Sequence, residues 1–408
     1  MNLSLHKNQA EIKADLQITG SKSESNRLLI LQALYPEIEI ENLSNSDDTV
    51  VLKKALEKGD GLIDIHHAGT AMRFLTAYFA CKEGCEVEIT GSKRMKQRPI
   101  RLLVDALQRM GADIEYKNEV GYPPLIIKGK RLHANSVKLK ANISSQYISA
   151  LMLIGSSLPN GLEIILEGQV TSTPYILMTL EILKQAGIEG NFKDDRVYIA
   201  PVNKLEPVSI AVESDWSSGS YFYSIAAISE SAEIKLSNYR KDSRQGDSCL
   251  AEIYQHFGVQ TEYLKNSILL KKEKMKRSIR INEDLRNSPD IAQTIAVTCL
   301  ALGMECVLEG LHTLKIKETD RLLALKNEME KFGARVHITD DCLHLLPTKT
   351  LAKDVLIETY NDHRMAMAFA PLALKTSFSI KDAGVVSKSY PDFWKDLKEL
   401  GFETQEII

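Results

Sequence analysis

Cations stand at four places where the sequence predicts the start of an apolar helix. They fall in residues 20–27, 68–73, 315–321 and 360–364, and a run of apolar residues follows each. Helix N-termini carry partial positive charge, so Lys and Arg are disfavoured there and anions are favoured. Backbone N–H groups, hydroxyls and cations are the groups that hold a phosphate or a carboxylate. The four stretches together indicate a common anionic ligand, and residues 93–99 add a fifth cationic loop.

Two acids stand out among these cations. Asp290 follows Pro289 and opens an apolar helix, where a carboxylate often serves only as an N-cap. Glu318 follows Lys317, and neighbouring cations keep a carboxyl group ionised in the free protein. The other interpretation of Glu318 is a structural ion pair with Arg321, three residues on. Anion binding alone has no use for two carboxylates, whereas general acid–base chemistry on anionic substrates does.

Composition limits the classes of protein to which the chain can belong. The 408 residues suggest two or three domains, and 44% hydrophobic with 26% charged residues is ordinary globular usage. The formal net charge of −3 gives no overall attraction to nucleic acid or to an anionic membrane. Six cysteines are too few for a disulfide scaffold. The start lacks an apolar signal core and no apolar run approaches the length of a membrane span, so we expect a cytoplasmic protein.

A repeated helix-glycine-strand pattern indicates the elements that position these cations and acids. An amphipathic helix, a glycine and a strand-like alternation recur around Gly111, Gly187, Gly258, Gly333 and Gly401, about 72 residues apart. Each glycine is expected to take the left-handed conformation that ends a helix and turns the chain into a strand. An earlier occurrence at Gly59 lies closer to the next one, which predicts a shortened first unit. The chain therefore holds five to six α/β units.

Taken together, the motifs resemble those of the 3-phosphoshikimate 1-carboxyvinyltransferase (5-enolpyruvylshikimate-3-phosphate synthase) family over essentially the whole chain. The matching stretches are G-S-K-S-E-S-N-R at 20–27, S-D-D-T at 46–49, A-G-T-A-M-R at 68–73, R-M-K-Q-R-P at 94–99, S-S-Q at 144–146, P-Y at 174–175, Asp215, Q-G-D at 245–247, P-D at 289–290, K-E-T-D-R at 317–321, Y-N-D-H-R-M-A-M at 360–367 and K-S-Y-P at 388–391. The blocks at 317–321 and 360–367 are the most specific of them.

The resemblance implies an α/β (α+β) fold of two lobes, the enolpyruvyl transferase fold. Each lobe consists of about three βαβαββ-type units with pseudo-threefold symmetry, in agreement with the repeat. Residues 20–212 form the lobe inserted in the chain, on the shikimate 3-phosphate side, and its first repeat is short. Residues 1–19 and 213–408 form the second lobe. The lobes are expected to close on their ligands by induced fit and exclude water.

The reaction that the resemblance implies is transfer of the enolpyruvyl group of phosphoenolpyruvate to the 5-hydroxyl of shikimate 3-phosphate, with release of phosphate. It belongs to the shikimate pathway of chorismate and aromatic amino-acid biosynthesis. Addition followed by elimination needs an acid, a base and dense positive charge, and neither a metal nor another cofactor. The expected partners are the two small-molecule substrates, with no nucleic acid and no membrane, and the expected state is a monomer.

The resemblance also assigns residues. Asp290 is the expected base for the 5-hydroxyl proton, helped by Lys317; Glu318 is expected to handle the proton at C3, and Lys22 completes the catalytic set. The shikimate 3-phosphate set is Lys22, Ser23, Arg27, Ser144, Ser145, Gln146, Ser172, Tyr175, Asp290, Thr313 and Lys317. The phosphoenolpyruvate set is Lys22, His67, Gly69, Arg98, Gln146, Arg321, Arg364 and Lys388. Arg73 is expected to support the site and not to touch substrate.

Some positions depart from the family pattern. His67 and Thr313 stand where the family usually has Asn, and Phe74 stands where Pro often follows the Arg.

Two alternatives stay open at this point. One is the sister enzyme UDP-N-acetylglucosamine 1-carboxyvinyltransferase, which typically carries a reactive Cys in the loop equivalent to 93–99, where this chain has none. The other is a non-catalytic anion-binding paralogue, which the shortened first repeat and His67 favour slightly.

Overall fold

The chain forms two compact units in the computed structural model, which describes residues 1–7, 11–140, 145–168, 170, 173–274 and 280–407. One unit, here called the inserted unit, is Gly20–Val212. The other, the split unit, joins Met1–Thr19 to Glu213–Ile408. Each unit has its own hydrophobic core. No helix among the described residues is long and apolar enough to cross a membrane.

The chain begins with two strands of the split unit and then builds the whole inserted unit. The first two strands are β1 (Asn2–His6) and β2 (Glu11–Leu16). The elements of the inserted unit are α1 (Lys22–Leu34), β3 (Ile38–Glu41), α2 (Asp47–Lys58), β4 (Gly61–Asp64), α3 (Gly69–Cys81), β5 (Glu86–Thr90), α4 (Arg101–Arg109), β6 (Asp113–Tyr116), β7 (Leu125–Lys128), β8 (Ser136–Lys140), α5 (Ser145–Gly155), β9 (Leu162–Glu167), α6 (Thr173–Gln185), β10 (Gly190–Lys193), β11 (Arg196–Ile199) and β12 (Val208–Ala211).

The remainder of the chain completes the split unit. Its elements are α7 (Trp216–Ile228), β13 (Ser231–Ser237), α8 (Leu250–Ile253), β14 (Val259–Leu264), β15 (Ser267–Lys272), β16 (Arg280–Asp284), α9 (Ala292–Leu302), β17 (Glu305–Glu309), α10 (Arg321–Lys331), β18 (Arg335–Ile338), β19 (Leu343–Leu346), β20 (Val355–Ile357), α11 (His363–Phe369), β21 (Phe378–Ile380), α12 (Phe393–Glu399) and β22 (Glu403–Ile407). Short 3-10 helices lie between several of them, including Met95–Gln97, Pro289–Ile291 and His312–Ile316.

Five of the six sheets formed by the described strands share one topology. In the sheet β4-β5-β7-β6, the first two strands are parallel and the other two pairings are antiparallel. The helices α3 and α4 follow β4 and β5, which makes a βαβαββ unit. The same arrangement recurs in the sheets β10-β11-β9-β8, β16-β17-β19-β18, β14-β15-β13-β2 and β20-β21-β1-β22. The α/β fold class expected from the sequence is confirmed.

The glycines of the repeat end their helices as the sequence predicts. Gly59 follows α2 with φ of 70° and takes the left-handed conformation. The equivalent glycines also have positive φ, at Gly111, Gly187, Gly258, Gly333 and Gly401. A side chain with a Cβ is strained in this conformation, so glycine is the residue that allows each turn into the next strand.

The sixth sheet is shorter than the others. It contains β3 and β12 in parallel, and no further strand pairs with them among the described residues. The helix α2 ends at Lys58 and β4 begins at Gly61, so the chain has no room there for the hairpin that completes four of the other five units, or for the antiparallel pair β1 and β22 that completes the fifth. The short stretch before His67 therefore has a structural counterpart, a two-stranded sheet in place of a four-stranded one.

The inner helices of each unit are buried nearly all round. Every residue of α9 from Ala292 to Leu300 is buried, and so is every residue of α3 from Ala71 to Ala80. A helix that is apolar on all faces belongs in a core and not at a surface. In the inserted unit α1, α3 and α5 pack on one another, and in the split unit α9 packs on α7 and on α11. The chemistry is therefore concentrated at the starts of these helices.

Candidate active site

Asp290 lies at the centre of a cluster of ion pairs in the split unit. It occupies the 3-10 turn Pro289–Ile291, directly before α9. Its Oδ1 accepts a hydrogen bond from Arg321 Nη1 at 2.8 Å and lies 3.4 Å from Lys317 Nζ. Its Oδ2 accepts a hydrogen bond from Arg364 Nη2 at 3.0 Å. The carboxylate therefore binds three side-chain cations and does not serve as a helix cap.

Arg321 joins three carboxylates. It is the first residue of α10, and 2% of its side chain is exposed. Its Nε donates to Asp362 Oδ2 at 2.7 Å and its Nη2 donates to Glu318 Oε2 at 2.9 Å, in addition to the bond with Asp290. The pairing with Glu318, which the spacing of three residues predicts, is confirmed. The partner Asp362 lies 41 residues away in sequence, and the spacing gives no sign of it.

Arg364 connects the starts of three helices in the split unit. It is the second residue of α11. Its Nη1 donates to the backbone carbonyl of Asp290 at 3.2 Å, and its Nη2 donates to Ser217 Oγ at 3.2 Å as well as to the carboxylate of Asp290. Ser217 is the second residue of α7 and its hydroxyl donates to Asp247. The starts of α7, α9 and α11 thus meet at one place.

Two other predicted residues belong to the same unit. Lys388 Nζ donates to the backbone carbonyl of Asn361 at 2.9 Å, directly beside Asp362. Thr313 lies in the 3-10 helix His312–Ile316, and its buried hydroxyl has no hydrogen-bond partner among the described residues. Lys388 therefore adjoins the ion-pair cluster, while the Thr313 hydroxyl is left without a protein partner.

The cluster sets the charge of its members. Burial alone would raise the pKa of the Asp290 carboxyl, but Arg364, Lys317 and Arg321 outweigh it and hold that pKa well below its ordinary value. Burial would lower the pKa of Arg321, yet the surrounding carboxylates raise it above its ordinary value. At neutral pH, Asp290 is therefore ionised and Arg321 is fully charged.

Asp247 lies beside the same cluster with the opposite shift. Burial and the negative charge of Asp290 raise the pKa of Asp247 to about 7, although Arg364 opposes the rise. Asp247 belongs to the Q-G-D motif at 245–247, but it is in neither the catalytic set nor the substrate sets that the resemblance implies. One sequence signal does point to Asp247: it is an acid in a motif that matches the family, and none of the expected substrate contacts accounts for it.

In the inserted unit, cations stand at the start of α1. Lys22 is the first helical residue, and its Nζ lies 3.2 Å from Asp48 Oδ2. The neighbouring Ser23 is half-buried, and its backbone carbonyl accepts a hydrogen bond from Arg27 Nη1 at 2.8 Å. Asp48 belongs to the matched S-D-D-T stretch and is a second acid that the site assignment missed.

Arg27 is a buried arginine with neutral partners. Its Nε donates to Thr179 Oγ1 and its Nη2 donates to Ser149 Oγ, both at 2.8 Å. Its guanidinium lies 5.4 Å from the ring centre of Phe74 and 5.7 Å from that of Tyr175. Burial lowers the pKa of Arg27 to about 10, so it stays charged at neutral pH. Phe74, a departure from the family pattern, therefore packs on Arg27.

Gly69 and Arg98 lie against each other. Gly69 is the first residue of α3, and a Cβ built on it would overlap the Arg98 guanidinium, with Cζ 3.0 Å away. Arg73, one turn along α3, donates to the carbonyls of Gly69 at 3.1 Å and Pro99 at 3.0 Å. Arg73 therefore braces the loop that carries Arg98, in line with the supporting role expected for it.

The other predicted residues of the inserted unit occupy the same helix starts or lie outside the described part. Gln146 Nε2 donates to Thr70 Oγ1 at 3.1 Å, which joins the start of α5 to that of α3. Ser145 is the first residue of α5. The ring of exposed His67 forms a hydrogen bond of 2.8 Å between Nδ1 and Ser92 Oγ. Ser144 and Ser172 lie outside the described residues.

Comparison with known proteins decides the family. The model of the family "EPSP synthase (3-phosphoshikimate 1-carboxyvinyltransferase)" matches residues 50–397. The chain belongs to the EPSP synthase family. A 3-phosphoshikimate 1-carboxyvinyltransferase of Bacteroides fragilis is 46% identical over 397 residues, which cover 96% of each chain. One from Aliivibrio fischeri is 35% identical and covers 96% of this chain and 97% of the relative.

Solved structures of EPSP synthases and of a related transferase have the same fold. The EPSP synthase of Acinetobacter baumannii matches with a TM-score of 0.80 at 19% identity, over 99% of this chain and 100% of that one. The enolpyruvyl transferase NikO of Streptomyces tendae matches with a TM-score of 0.76 at 13% identity, over 99% and 98% of the two chains. The two-lobed enolpyruvyl transferase fold expected from the sequence is confirmed, and the sister enzyme considered as an alternative is not favoured.

Proposed function

We propose that this member of the EPSP synthase family transfers the carboxyvinyl group of phosphoenolpyruvate to the 5-hydroxyl of shikimate 3-phosphate and releases phosphate. The observation that supports it best is the Asp290 carboxylate among Lys317, Arg321 and Arg364, with Glu318 on the same guanidinium. Such a cluster supplies an ionised base, a second carboxyl group and the positive charge that two anionic substrates require.

Asp290 is assigned the role of the base that takes the 5-hydroxyl proton. Without substrate its pKa is held low by three cations, and a carboxylate in that state is a weak base. Anionic substrates on Arg321 and Arg364 would cancel part of this positive charge, and the basicity of Asp290 would rise. The base thus becomes effective only when the substrates are bound, which suppresses proton transfer at an empty site.

Glu318 is assigned the proton at C3 of phosphoenolpyruvate. Its carboxylate accepts a hydrogen bond from Arg321 Nη2, and 22% of its side chain is exposed. Bound anions favour the protonated form of a neighbouring carboxyl group, which is the form that donates to C3. Protonation at C3 makes C2 electrophilic, and the hydroxyl attacks C2 to give a tetrahedral intermediate. C3 then returns a proton to the Glu318 carboxylate as phosphate leaves C2, which restores the C2=C3 double bond.

The remaining contacts follow the family motifs residue by residue. Shikimate 3-phosphate is assigned to Lys22, Ser23, Arg27, Ser144, Ser145, Gln146, Ser172, Tyr175, Asp290, Thr313 and Lys317. Phosphoenolpyruvate is assigned to Lys22, His67, Gly69, Arg98, Gln146, Arg321, Arg364 and Lys388. The free hydroxyl of Thr313 suits a phosphate oxygen. Within the described part of the chain, Arg27 donates to Thr179, Ser149 and Ser23 with three of its five N–H groups, which leaves two N–H groups that could bind substrate.

The chain is further proposed to act as a cytoplasmic monomer with no nucleic-acid partner. The net charge of −3 supports the last point, because nucleic-acid binding relies on a positive surface. Light scattering after size exclusion measures the mass directly, and a value of twice 45.7 kDa would contradict the monomer.

One assay tests the function. The purified protein is mixed with shikimate 3-phosphate and phosphoenolpyruvate, and phosphate release is followed. The expected result is release that depends on both substrates. Absence of release at micromolar enzyme, while both ligands bind, would support the anion-binding paralogue instead. UDP-N-acetylglucosamine as the acceptor separates the sister enzyme, and release with that acceptor alone would overturn the assignment.

A further inference from the structure

The segment between β20 and α11 holds two consecutive residues in an unusual backbone conformation. Tyr360 and Asn361 have φ of 54° and 56°. Asn tolerates the left-handed region, but a bulky residue such as Tyr is rarely found there. Asp362 follows directly and caps α11. Backbone of this kind persists only where the surroundings hold it.

A buried carboxylate holds it. Glu328 of α10 is fully buried, and its Oε1 accepts a hydrogen bond from Tyr360 Oη at 2.6 Å. Its Oε2 accepts from the backbone N–H of Glu358 at 3.0 Å and from Lys331 Nζ at 2.6 Å. Hydrogen bonds to an ionised acceptor are the strong ones, so three donors fix this carboxylate firmly. Glu328 therefore binds the segment at the end of β20 and again at Tyr360.

The same helix holds the segment at a further point. Arg321 lies seven residues before Glu328, which is two helical turns, so both side chains share one face of α10. Arg321 binds the Asp362 carboxylate through Nε at 2.7 Å and Nη2 at 3.3 Å. Tyr360 and Asp362 are thus both bound to α10, with Asn361 between them.

This arrangement fixes two hydrogen-bond acceptors, the Asn361 carbonyl and the Asp362 carboxylate, that contact Lys388 and Arg364 of the candidate site. The backbone carbonyl of Asn361 accepts the hydrogen bond from Lys388 Nζ, and its direction depends on the left-handed backbone of that residue. Oδ1 of Asp362 accepts the hydrogen bond from the backbone N–H of Arg364. A change in the conformation of residues 360–361 would therefore move Lys388 and the start of α11.

We propose that Glu328 and Tyr360 are positioning residues for the phosphoenolpyruvate cations. Their hydrogen bond keeps Tyr360 and Asn361 left-handed, and so places Lys388 and Arg364 without touching substrate. This inference rests on the proposed function, which assigns both cations to phosphoenolpyruvate. It predicts that loss of the bond weakens use of phosphoenolpyruvate and leaves use of shikimate 3-phosphate nearly intact.

The test is Tyr360→Phe, which removes only the hydroxyl. We expect KM for phosphoenolpyruvate to rise about tenfold, with kcat and KM for shikimate 3-phosphate changed by less than about twofold. Glu328→Gln, which keeps an acceptor for Tyr360 but not the charge, should give a smaller rise of the same kind. Lys326→Met is the matched control: it removes the surface ion pair with Glu330 on the same helix and leaves the donors to Glu328 in place, so KM should stay at the wild-type value.

Several results would overturn the inference. An unchanged KM for phosphoenolpyruvate in Tyr360→Phe would do so. Equal rises in Tyr360→Phe and Lys326→Met would do so as well, because they would indicate general destabilisation. If the wild-type protein released no phosphate, the proposed function would fail separately. A crystal structure of Tyr360→Phe then decides: we expect Lys388 Nζ to lie more than about 3.5 Å from the Asn361 carbonyl. A retained bond would contradict the inference.

Discussion

The two units place different chemistry at equivalent helix starts. In the split unit, Asp290 and Asp362 stand before α9 and α11, and buried arginines bind them. In the inserted unit, α1 and α3 begin with Lys22 and Gly69, and the buried Arg27 binds hydroxyls and a carbonyl. One repeated fold thus brings helix starts together, and the residues there differ: carboxylates paired with arginines in the split unit, and cations with hydroxyls in the inserted unit.

The buried arginines Arg321 and Arg27 show the difference between the two units in their partners and in their pKa values. The side chains of Arg321 and Arg27 are almost equally buried. Burial lowers the pKa of Arg27 to about 10, because its protein partners are neutral. Burial also acts on Arg321, but three carboxylates reverse the effect and raise its pKa. Arg27 therefore forms no hydrogen bond with a carboxylate among the described residues, and Glu24 offsets only part of the effect of burial, whereas Arg321 hydrogen-bonds to three carboxylates.

The largest expected effect concerns the acid–base half. Asp290→Asn removes the base but keeps the size of the side chain, so turnover should fall by about 100-fold to 10,000-fold. Binding of both substrates, measured by calorimetry, should persist. Asp340→Asn is the matched control, because Asp340 pairs with Lys315 at the surface of the same unit. Full turnover in Asp290→Asn would remove this residue from the mechanism.

The next prediction compares how much the fold is destabilised by substitution of Arg321 and of Arg27. In Arg321→Lys, one ammonium group cannot reach the three carboxylates that the guanidinium binds, so at least one buried carboxylate loses its partner and the fold should be destabilised by about 3–5 kcal/mol. Arg27→Lys disturbs bonds to neutral groups and should cost about 1–3 kcal/mol. Urea denaturation measures both. Arg196→Lys, at an exposed pair with Glu163, should change the free energy of unfolding by less than about 1 kcal/mol. Equal losses at the two buried sites would refute the contrast.

A smaller effect is expected at the anion-binding half. In Gly69→Ala, the new methyl group would push the Arg98 guanidinium aside. We expect KM for phosphoenolpyruvate to rise about tenfold, equivalent to about 1.4 kcal/mol, with kcat nearly unchanged. The control is Gly384→Ala, where a Cβ meets no atom within 4 Å. A rise in KM for shikimate 3-phosphate alone would contradict the assignment of Gly69 to phosphoenolpyruvate.

A further prediction is a dependence of stability on pH in the split unit. The pKa of Asp247 is raised from 3.8 to about 7, so the folded state binds more protons than the unfolded state between these values. The free energy of unfolding from this group therefore falls as pH rises from about 4 to about 7 and is constant above. Asp247→Asn should lose this fall.

Melting temperatures at pH 5 and pH 8 test this dependence. Wild type should lose more between the two pH values than Asp247→Asn does. Asp242→Asn, an exposed position in the same loop, should behave as wild type. The same slope in all three proteins would show that Asp247 is not the group responsible. A slope lost in both variants would point to the loop as a whole.

Local and periodic features were accessible from the sequence. The glycine at each helix end follows from backbone sterics, and every one of the six has positive φ. The Glu318–Arg321 pair follows from helical spacing. The partners of Arg27 lie 122 and 152 residues away and are ordinary Ser and Thr, so no spacing rule identifies them. Only the fold brings these side chains to Arg27.

The sequence interpretation was least complete for the acids. It singled out Asp290 and Glu318 because both stand near cations in sequence. Asp48, Asp247 and Asp362 contact Lys22, Ser217 and Arg321 respectively, and each contact joins separate elements. These contacts form only when packing brings separate elements together, and such contacts cannot be located from a single sequence without a structure.

The two-stranded sheet of the inserted unit offers a place where a β-hairpin could be inserted into the chain. Among the described strands, β3 pairs only with β12, so no described strand occupies its other edge. The turn after α2 passes through Gly59 and Gly61, and a Cβ on Gly61 would meet only open space. A β-hairpin grafted there has a free strand edge to join, so a reporter or an affinity tag could be built into the sheet itself.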